Sequence, residues 1–368
     1  MISGASARTF NIAKGLNTCG ASVCVLHQGA TKSFNPRFKF IHLESHSFLA
    51  SGGNYLHPLN LRYPCQFLRF VKEYKPDIIQ CEQPWGVFPT LWFSKYFGIP
   101  CVLDEHNVEF IWSKSASKVP FLAHITFAIE RVACSYSSLV LASSEVDKRL
   151  LMEVHDVSGK KVCVVPNGVN IERYSTSLSH QSQLSRRLRS DSESKIILFH
   201  GAMDAKQNYE AAKLIMNLIA PKFAHSMFVI IGKGSDKLIR KVKSQENVLV
   251  LGFVPSIEEY LAAADVCIAP IKVGSGTRLK VLEYLAAGKP IVATHKAVEG
   301  LGVIDGVHAL LYKDVNDEFV NGLRRILSNQ VLREELGKNA LKLSKLYDWA
   351  SICSNLHELY MKLYGNSE

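Results

Sequence analysis

Between Gly274 and Thr294 the sequence GSGTRLKVLEYLAAGKPIVAT brings two glycines, two cations and a carboxylate into one short stretch. Gly274 and Gly276 let the backbone approach a ligand closely, because no Cβ stands in the way. Leu279, Leu282, Leu285 and Ala286 recur at helical spacing, and Gly288 with Pro290 predicts the helix end before a strand IVAT. The first amides of such a helix lack intrahelical partners, which favours an anion. Arg278 and Lys280 bring cations to it, the guanidinium as a fork and the ammonium as a point charge. Glu283 shares a helix face with Lys280 and can accept hydrogen bonds from vicinal hydroxyls such as those of a ribose. The plain alternative is a surface Lys–Glu pair worth about 0.2–0.5 kcal/mol.

A second cluster, VLDEHNVEF, places Asp104, Glu105, His106 and Asn107 at the end of an apolar strand. Open α/β sheets bind ligands beyond the carboxyl ends of their strands. By itself His106 reads equally as a structural histidine, and the roles of Glu105 and Glu109 stay open between acceptor contact and structure.

These groups need a scaffold, and the pattern of the chain supplies one. Apolar strand-like runs alternate with helical ones, which predicts parallel sheets covered by helices. In the first half the strands are SVCVL, FKFIHL, DIIQC, CVLDEH, SLVLAS and KVCVV, the last stopped by Pro166-Asn167-Gly168. In the second half they are KIILFHG, MFVIIG, NVLVLGFV, VCIAPI, IVAT and HALLY, with helices over YEAAKLIMNLIAP, SDKLIRKVKS, SIEEYLAAA and NDEFVNGLRRILSN. The polar, serine-rich stretch NIERYSTSLSHQSQLSRRLRSDSES between the halves is expected to be a linker. A doubly wound domain opens with a buried strand, whereas MISGASARTF is a glycine-containing turn leading into a helix, so the first strand is expected to be missing.

Composition narrows the function classes. The chain has 368 residues, 47% of them hydrophobic, enough for two cores. Its greasiest segment is interrupted by Glu130 and Arg131, and the start shows no secretory signal, so a cytoplasmic location is expected. Nine cysteines are scattered without a C-x-x-C pair, which predicts buried reduced thiols. The net charge of +10 suits a phosphorylated substrate or a peripheral contact with the inner, anionic face of a membrane. Basic runs such as SRRLRS and KLIRKVKS carry no aromatic platform, so no nucleic-acid partner is expected. IIGKGSDKL has a G-x-G turn but Lys237 in place of the third glycine, which argues against a nicotinamide or flavin site. No D-x-D pair for a metal occurs.

PNGV at 166–169, FHGAMDAKQN at 199–208, IIGKGS at 230–235, LGFVPSIEEYLAAADVCIAP at 251–270 and the stretch from Gly274, taken in this order, resemble the glycosyltransferase family 4 enzymes of GT-B architecture, a retaining, metal-independent group. The resemblance covers nearly the whole chain. It implies an α/β fold of two doubly wound Rossmann-like domains facing across a cleft, with 1–170 on the acceptor side, 171–345 binding the nucleotide-sugar, and a helix at 346–368 packing back on the first domain.

The resemblance also implies roles. Glu283 matches the second glutamate of the family's E-x7-E element, which binds the ribose, while Ser275 stands where the first would be. Ala202 stands in place of the family's phosphate-binding arginine, and Lys206 lies near its lysine. Arg278 and Lys280 are then expected to replace the missing cation, with Ser275, Gly276 and Thr277 beside the donor. Gly252, Phe253 and Val254 match the turn whose backbone reads the base, Gly4 the first glycine-rich loop, and His106 the histidine that contacts the donor sugar and helps transfer. The expected donor is a UDP- or GDP-sugar with no cofactor and no metal, and the acceptor a glycan, lipid-linked glycan or small molecule. A catalytically degenerate sugar-nucleotide binder or partner subunit of the same fold stands as the alternative.

Overall fold

The computed structural model describes residues 4–27, 39–42, 62–116, 120–175, 181–189, 194–235, 245–274 and 276–365. Ser275 and most of the expected helix SDKLIRKVKS lie outside them. The chain divides into two compact units, Gly168–Asp348 and Ile2–Asn167 with Trp349–Glu368.

In the C-terminal unit six strands form one sheet: β7 (Lys195–His200), β8 (Ser226–Ile231), β9 (Val248–Leu251), β10 (Val266–Ala269), β11 (Ile291–Thr294) and β12 (Leu310–Tyr312). All pair in parallel, in the spatial order β12-β11-β10-β7-β8-β9. The central strands are short apolar runs because helices cover both faces, and Ile196, Leu198, Phe228, Ile230, Ile268 and Val292 are fully buried. Counted from β7, the order is 3-2-1-4-5-6 read from the other edge, so the winding reverses between β7 and β10. That reversal opens a crevice beyond the carboxyl ends of these two strands. The segments leaving them are Gly201–Ala205 and the stretch from Pro270 to the helix Leu279–Ala286.

The expected linker departs from its prediction: it carries helices Glu172–Ser175 and Gln181–Leu188. Tyr174 and Leu188 are buried, and Leu184 packs with them on the core. Arg189 clamps the end of the second helix to Asp265 with two bonds of 3.0 and 3.1 Å. Serine richness masked three well-spaced apolar anchors.

In the N-terminal unit the described strands form two parallel sheets. One pairs β1 (Cys24–His27) with β2 (Lys39–His42). The other runs β3 (Ile79–Glu82), β4 (Cys101–Glu105), β5 (Leu139–Ala142) and β6 (Val162–Val164) in sequence order. Helices Glu109–Ala116 and Glu145–His155 add to those expected from the pattern. The helix Trp349–Gly365 lies on Gly4–Thr18, where a Cβ on Gly15 would fall 2.2 Å from Cys353 Sγ. Cys81, Cys101, Cys134, Cys267 and Cys353 are buried free thiols, whereas Cys65 is exposed, against the expectation for it. Among the described residues no helix is long and apolar enough to cross a membrane.

Gly232, just after β8, shows how tightly the crevice is built. A Cβ there would stand 1.8 Å from the carbonyl oxygen of Gly201, backbone that cannot rotate away. Gly232→Ala is therefore expected to destabilise the C-terminal unit by about 1–3 kcal/mol. Calorimetry should show a lowered midpoint for that unit, and an unchanged midpoint would refute the close approach.

Candidate active site

The segment after β10 turns through Gly274 and Gly276, both at positive φ (113° and 75°), conformations that disfavour any residue with a Cβ. The helix Leu279–Ala286 then starts without a side-chain cap. Its first amides are left to solvent or to a ligand. Val281, Leu282, Tyr284 and Leu285 bury one face of this helix in the core. That anchorage fixes the direction of Lys280 and Glu283.

Lys280 is 8% exposed, and its ammonium donates to Asn208 Oδ1 at 2.6 Å while standing 4.2 Å from the centre of the Phe199 ring. Asn208 is in turn held by its own Nδ2, which donates to Ala202 O at 2.9 Å. A Cβ on Gly201 would lie 2.5 Å from Lys280 Nζ. The ammonium thus reaches the loop after β7 with a neutral acceptor and an aromatic face as its described partners. Burial first and the Arg278 charge second push its pKa down to about 7, against the opposing pull of Glu283. Arg278, also buried, donates instead to Gly276 O (3.1 Å) and Val273 O (3.4 Å), bracing its own turn, and burial lowers its pKa. Thr277 Oγ1 is buried in the same turn without a hydrogen bond to any described residue.

Glu283 is not paired with Lys280. Its Oε2 lies 3.1 Å from His200 Nε2, but the approach lacks hydrogen-bond geometry, and it interacts with the Tyr174 hydroxyl. The His200 amide donates to the Tyr284 hydroxyl at 3.2 Å. Lys206 opens the helix Lys206–Leu214 and is exposed. Gly252 and Phe253, after β9, are exposed as well, Phe253 by 64%. Sequence reasoning missed His200, Tyr174 and Asn208. His200 had a signal, a polar residue closing an apolar strand before a glycine, whereas Tyr174 lay in the presumed linker.

In the N-terminal unit β3 and β4 end side by side, at Glu82 and Glu105. His106 follows, 7% exposed, with Nε2 at 2.8 Å from Glu82 Oε2 and 3.7 Å from Asp104 Oδ2. Arg8 binds both oxygens of Asp104, at 2.7 Å from Nη2 to Oδ1 and 2.9 Å from Nε to Oδ2, and reaches Asn167 Oδ1 of the PNGV turn. Burial lowers the His106 pKa, but the bond to Glu82 and the Asp104 and Glu82 charges outweigh it and hold the ring above its ordinary value. Glu82, Asp104 and His106 bring one ligand atom each within 4.8 Å of one another. With Arg8 on both oxygens of Asp104, these charges are already balanced as an ion-pair network.

Behind His106 sits a second acidic layer. Glu130 accepts from the amides of Glu109 (2.6 Å) and Phe110 (3.0 Å), capping the helix Glu109–Ala116, and from His155 Nε2 (2.7 Å). The carboxylate that interrupts the greasy segment is thus a cap for orphan amides. Glu105 is fully buried with neither oxygen partnered among the described residues, and burial, with the charges of Glu130, Glu109 and Asp104, raises its pKa well above the ordinary carboxylate range. Glu109 accepts from Gln83 Nε2 at 3.1 Å, and burial raises its pKa to about 7. Gly4 is the first residue of the helix Gly4–Thr18 rather than part of a loop.

A family model described as Glycosyltransferase Family 4 matches residues 2–173, and one described as Glycosyl transferases group 1 matches residues 194–329. The chain belongs to the group 1, family 4 glycosyltransferases. It is an enzyme of the glycosyl-transferring class. Among its relatives, the UDP-Gal:alpha-D-GlcNAc-diphosphoundecaprenol alpha-1,3-galactosyltransferase of Escherichia coli is 26% identical over 288 residues, covering 72% of this chain and 70% of that protein. Sucrose-phosphate synthase from Thermosynechococcus elongatus shares the fold at a TM-score of 0.83 and 18% identity, over 99% of this chain and 94% of that one. Anabaena HepE, solved with UDP and glucose, superimposes at 0.72 and 18% identity, over 97% and 95%. These neighbours give the GT-B architecture to this glycosyltransferase.

The Lys280 site predicts a pH dependence. A lysine depressed to about 7 in the empty site must take up a proton when an anion binds, so affinity falls as pH rises through that value. UDP is a suitable probe, because its terminal phosphate has a second pKa of about 6 and is ionised throughout this range. Calorimetry between pH 7 and 9 should show weakening affinity and proton uptake, and Lys280→Met should bind more weakly with a flatter profile. A pH-independent wild-type affinity would count against a charged Lys280 in the site.

Proposed function

We propose that this glycosyltransferase moves a sugar from a nucleoside diphosphate sugar to a hydroxyl acceptor with retention of anomeric configuration. The observation that carries the reading is the buried Lys280 ammonium, which lacks an anionic bond partner among the described residues and stands where the winding reverses. In this reading the diphosphate lies against Lys280, the turn Gly276–Arg278 and the first amides of the helix Leu279–Ala286. Glu283 then accepts from the ribose hydroxyls, with the Tyr174 hydroxyl holding its carboxylate. Backbone groups at Gly252–Val254 read the base. HepE holds UDP and the Escherichia coli relative is named for a UDP-sugar, which favours uridine.

The chemistry follows from the leaving group. As the bond from the anomeric carbon to the diphosphate oxygen breaks, negative charge grows on the phosphate. Lys280 and the helix amides stabilise that charge, an effect strongest in a water-poor setting. The acceptor oxygen attacks from the same face, and its proton passes to the departing phosphate oxygen. His106 presents Nδ1, buried and without a hydrogen-bond partner among the described residues, to a hydroxyl of the donor sugar. The name of the Escherichia coli relative, with its diphosphoundecaprenol acceptor, favours a lipid-linked acceptor and thus work at the inner membrane face.

A screen of UDP- and GDP-sugars with the full-length chain, reading released nucleoside diphosphate, tests the proposal. Glu283→Ala should lower kcat/KM by about 10- to 100-fold through loss of charge-assisted hydrogen bonds of ~1.5–3 kcal/mol. His106→Ala should lower kcat. Tight UDP binding with no turnover of any donor would instead identify a degenerate binder, and full activity in both variants would remove these assignments.

A further inference from the structure

Glu82 stands outside every motif that carries the family resemblance, yet its carboxylate takes three side-chain hydrogen bonds beside His106. Its Oε2 takes Nε2 of His106 at 2.8 Å and the Thr9 hydroxyl at 2.8 Å, and its Oε1 accepts from Gln80 Nε2 at 2.5 Å. Gln80 is itself fixed from the far end of the chain, since the Tyr360 hydroxyl donates to its Oε1. Burial, with the charges of Asp104 and Glu82, keeps Tyr360 protonated as a donor. A continuous chain of hydrogen bonds therefore runs from Tyr360 on the helix Trp349–Gly365 through Gln80 and Glu82 to the imidazole.

We propose that Glu82 is a positioning residue for the transfer reaction: it binds the Nε2 proton of His106 and so turns Nδ1 toward the donor sugar, and Tyr360, through Gln80, holds Glu82 in that state. The sugar-contacting part of the proposal rests on the reading of His106 given above. The geometry selects Glu82 over Asp104, because Arg8 occupies both Asp104 oxygens and Asp104 stays 3.7 Å from the ring. A hydrogen-bonded carboxylate on one ring nitrogen fixes the tautomer and leaves the other nitrogen for the substrate. The charged groups facing the ring are Glu82 from β3, Asp104 from β4, Arg8 from the first helix and Glu109 from the helix that follows. Arg8 lowers the ring's proton affinity, while Glu82 and Asp104 raise it. Glu109 senses the ring in turn. Replacing Glu82 by the neutral isostere removes the strongest raising contribution and keeps an acceptor in place.

The decisive measurement is a pH titration of the histidine Cε1–H resonances in the full-length chain, with His106 assigned by its loss in His106→Gln. In Glu82→Gln the His106 midpoint should move to lower pH, and Tyr360→Phe, which removes only a hydroxyl, should move it the same way by less. Unchanged midpoints in both variants would overturn the proposal whether or not a donor is known. With a turned-over donor in hand, Glu82→Gln should lose about 10- to 100-fold in kcat, a fraction of the ~10²–10⁴ that a positioned proton-handling group supplies, with KM for the donor unchanged. A shifted midpoint with wild-type kcat would overturn the catalytic part alone. Absence of turnover in the wild type would count against the transferase reading and leave the titration standing.

Discussion

A buried ammonium is costly unless something negative joins it, because desolvation of an ion amounts to several kcal/mol even in a relaxed protein interior. Lys280 meets this constraint with a neutral amide oxygen and the face of Phe199, which compensate only in part. The rest of the C-terminal crevice follows from making room for that charge. Gly201 has no Cβ because the ammonium occupies its place, and Gly232 has none because the Gly201 carbonyl does. Asn208 spans the gap, one end on Lys280 and the other on Ala202. In the proposed reading an anion entering here meets groups already held by these contacts, which lowers the ordering cost of binding.

The N-terminal unit solves the opposite problem. Its buried polar groups are paired internally: Arg8 with Asp104, His106 with Glu82 and His155 with Glu130. Such a network gains little net stability over an apolar core, but removing one partner leaves an uncompensated charge. What it supplies is orientation. Thr9 from a helix and Gln80 from the strand bind Glu82, and Tyr360 of the last helix holds Gln80, so the imidazole is set by contacts distant in sequence.

How far the sequence discloses this arrangement depends on distance along the chain. Strand after strand was legible because each is a short apolar run between turn residues, and the helix Leu279–Ala286 because its apolar positions and its Gly288 stop lie within one short stretch of sequence. The direction of Lys280 was not. Spacing puts it beside Glu283, whereas packing of Val281 and Leu282 swings the ammonium to Asn208, 72 residues away. The helices hidden in the serine-rich stretch escaped for a similar reason, since Tyr174, Leu184 and Leu188 declare themselves only once a core exists to receive them. Glu82 and Tyr360 carry no local signal at all, because their meaning lies in a chain of bonds across 280 residues.

The departure at Ala202 has a physical reading in these terms. The loop after β7 and the helix after β10 flank the same reversal of strand order, so a cation from either element reaches the same volume. With Lys280 already pressing on Gly201, a second cation at position 202 would sit beside a like charge in a poorly solvated crevice, and each would depress the other's protonation. Arg278 already exerts that effect on Lys280 from within its own turn. A small residue at 202 therefore removes a repulsion as well as a contact, and in the proposed reading the charge that holds a diphosphate is supplied once, from the helix.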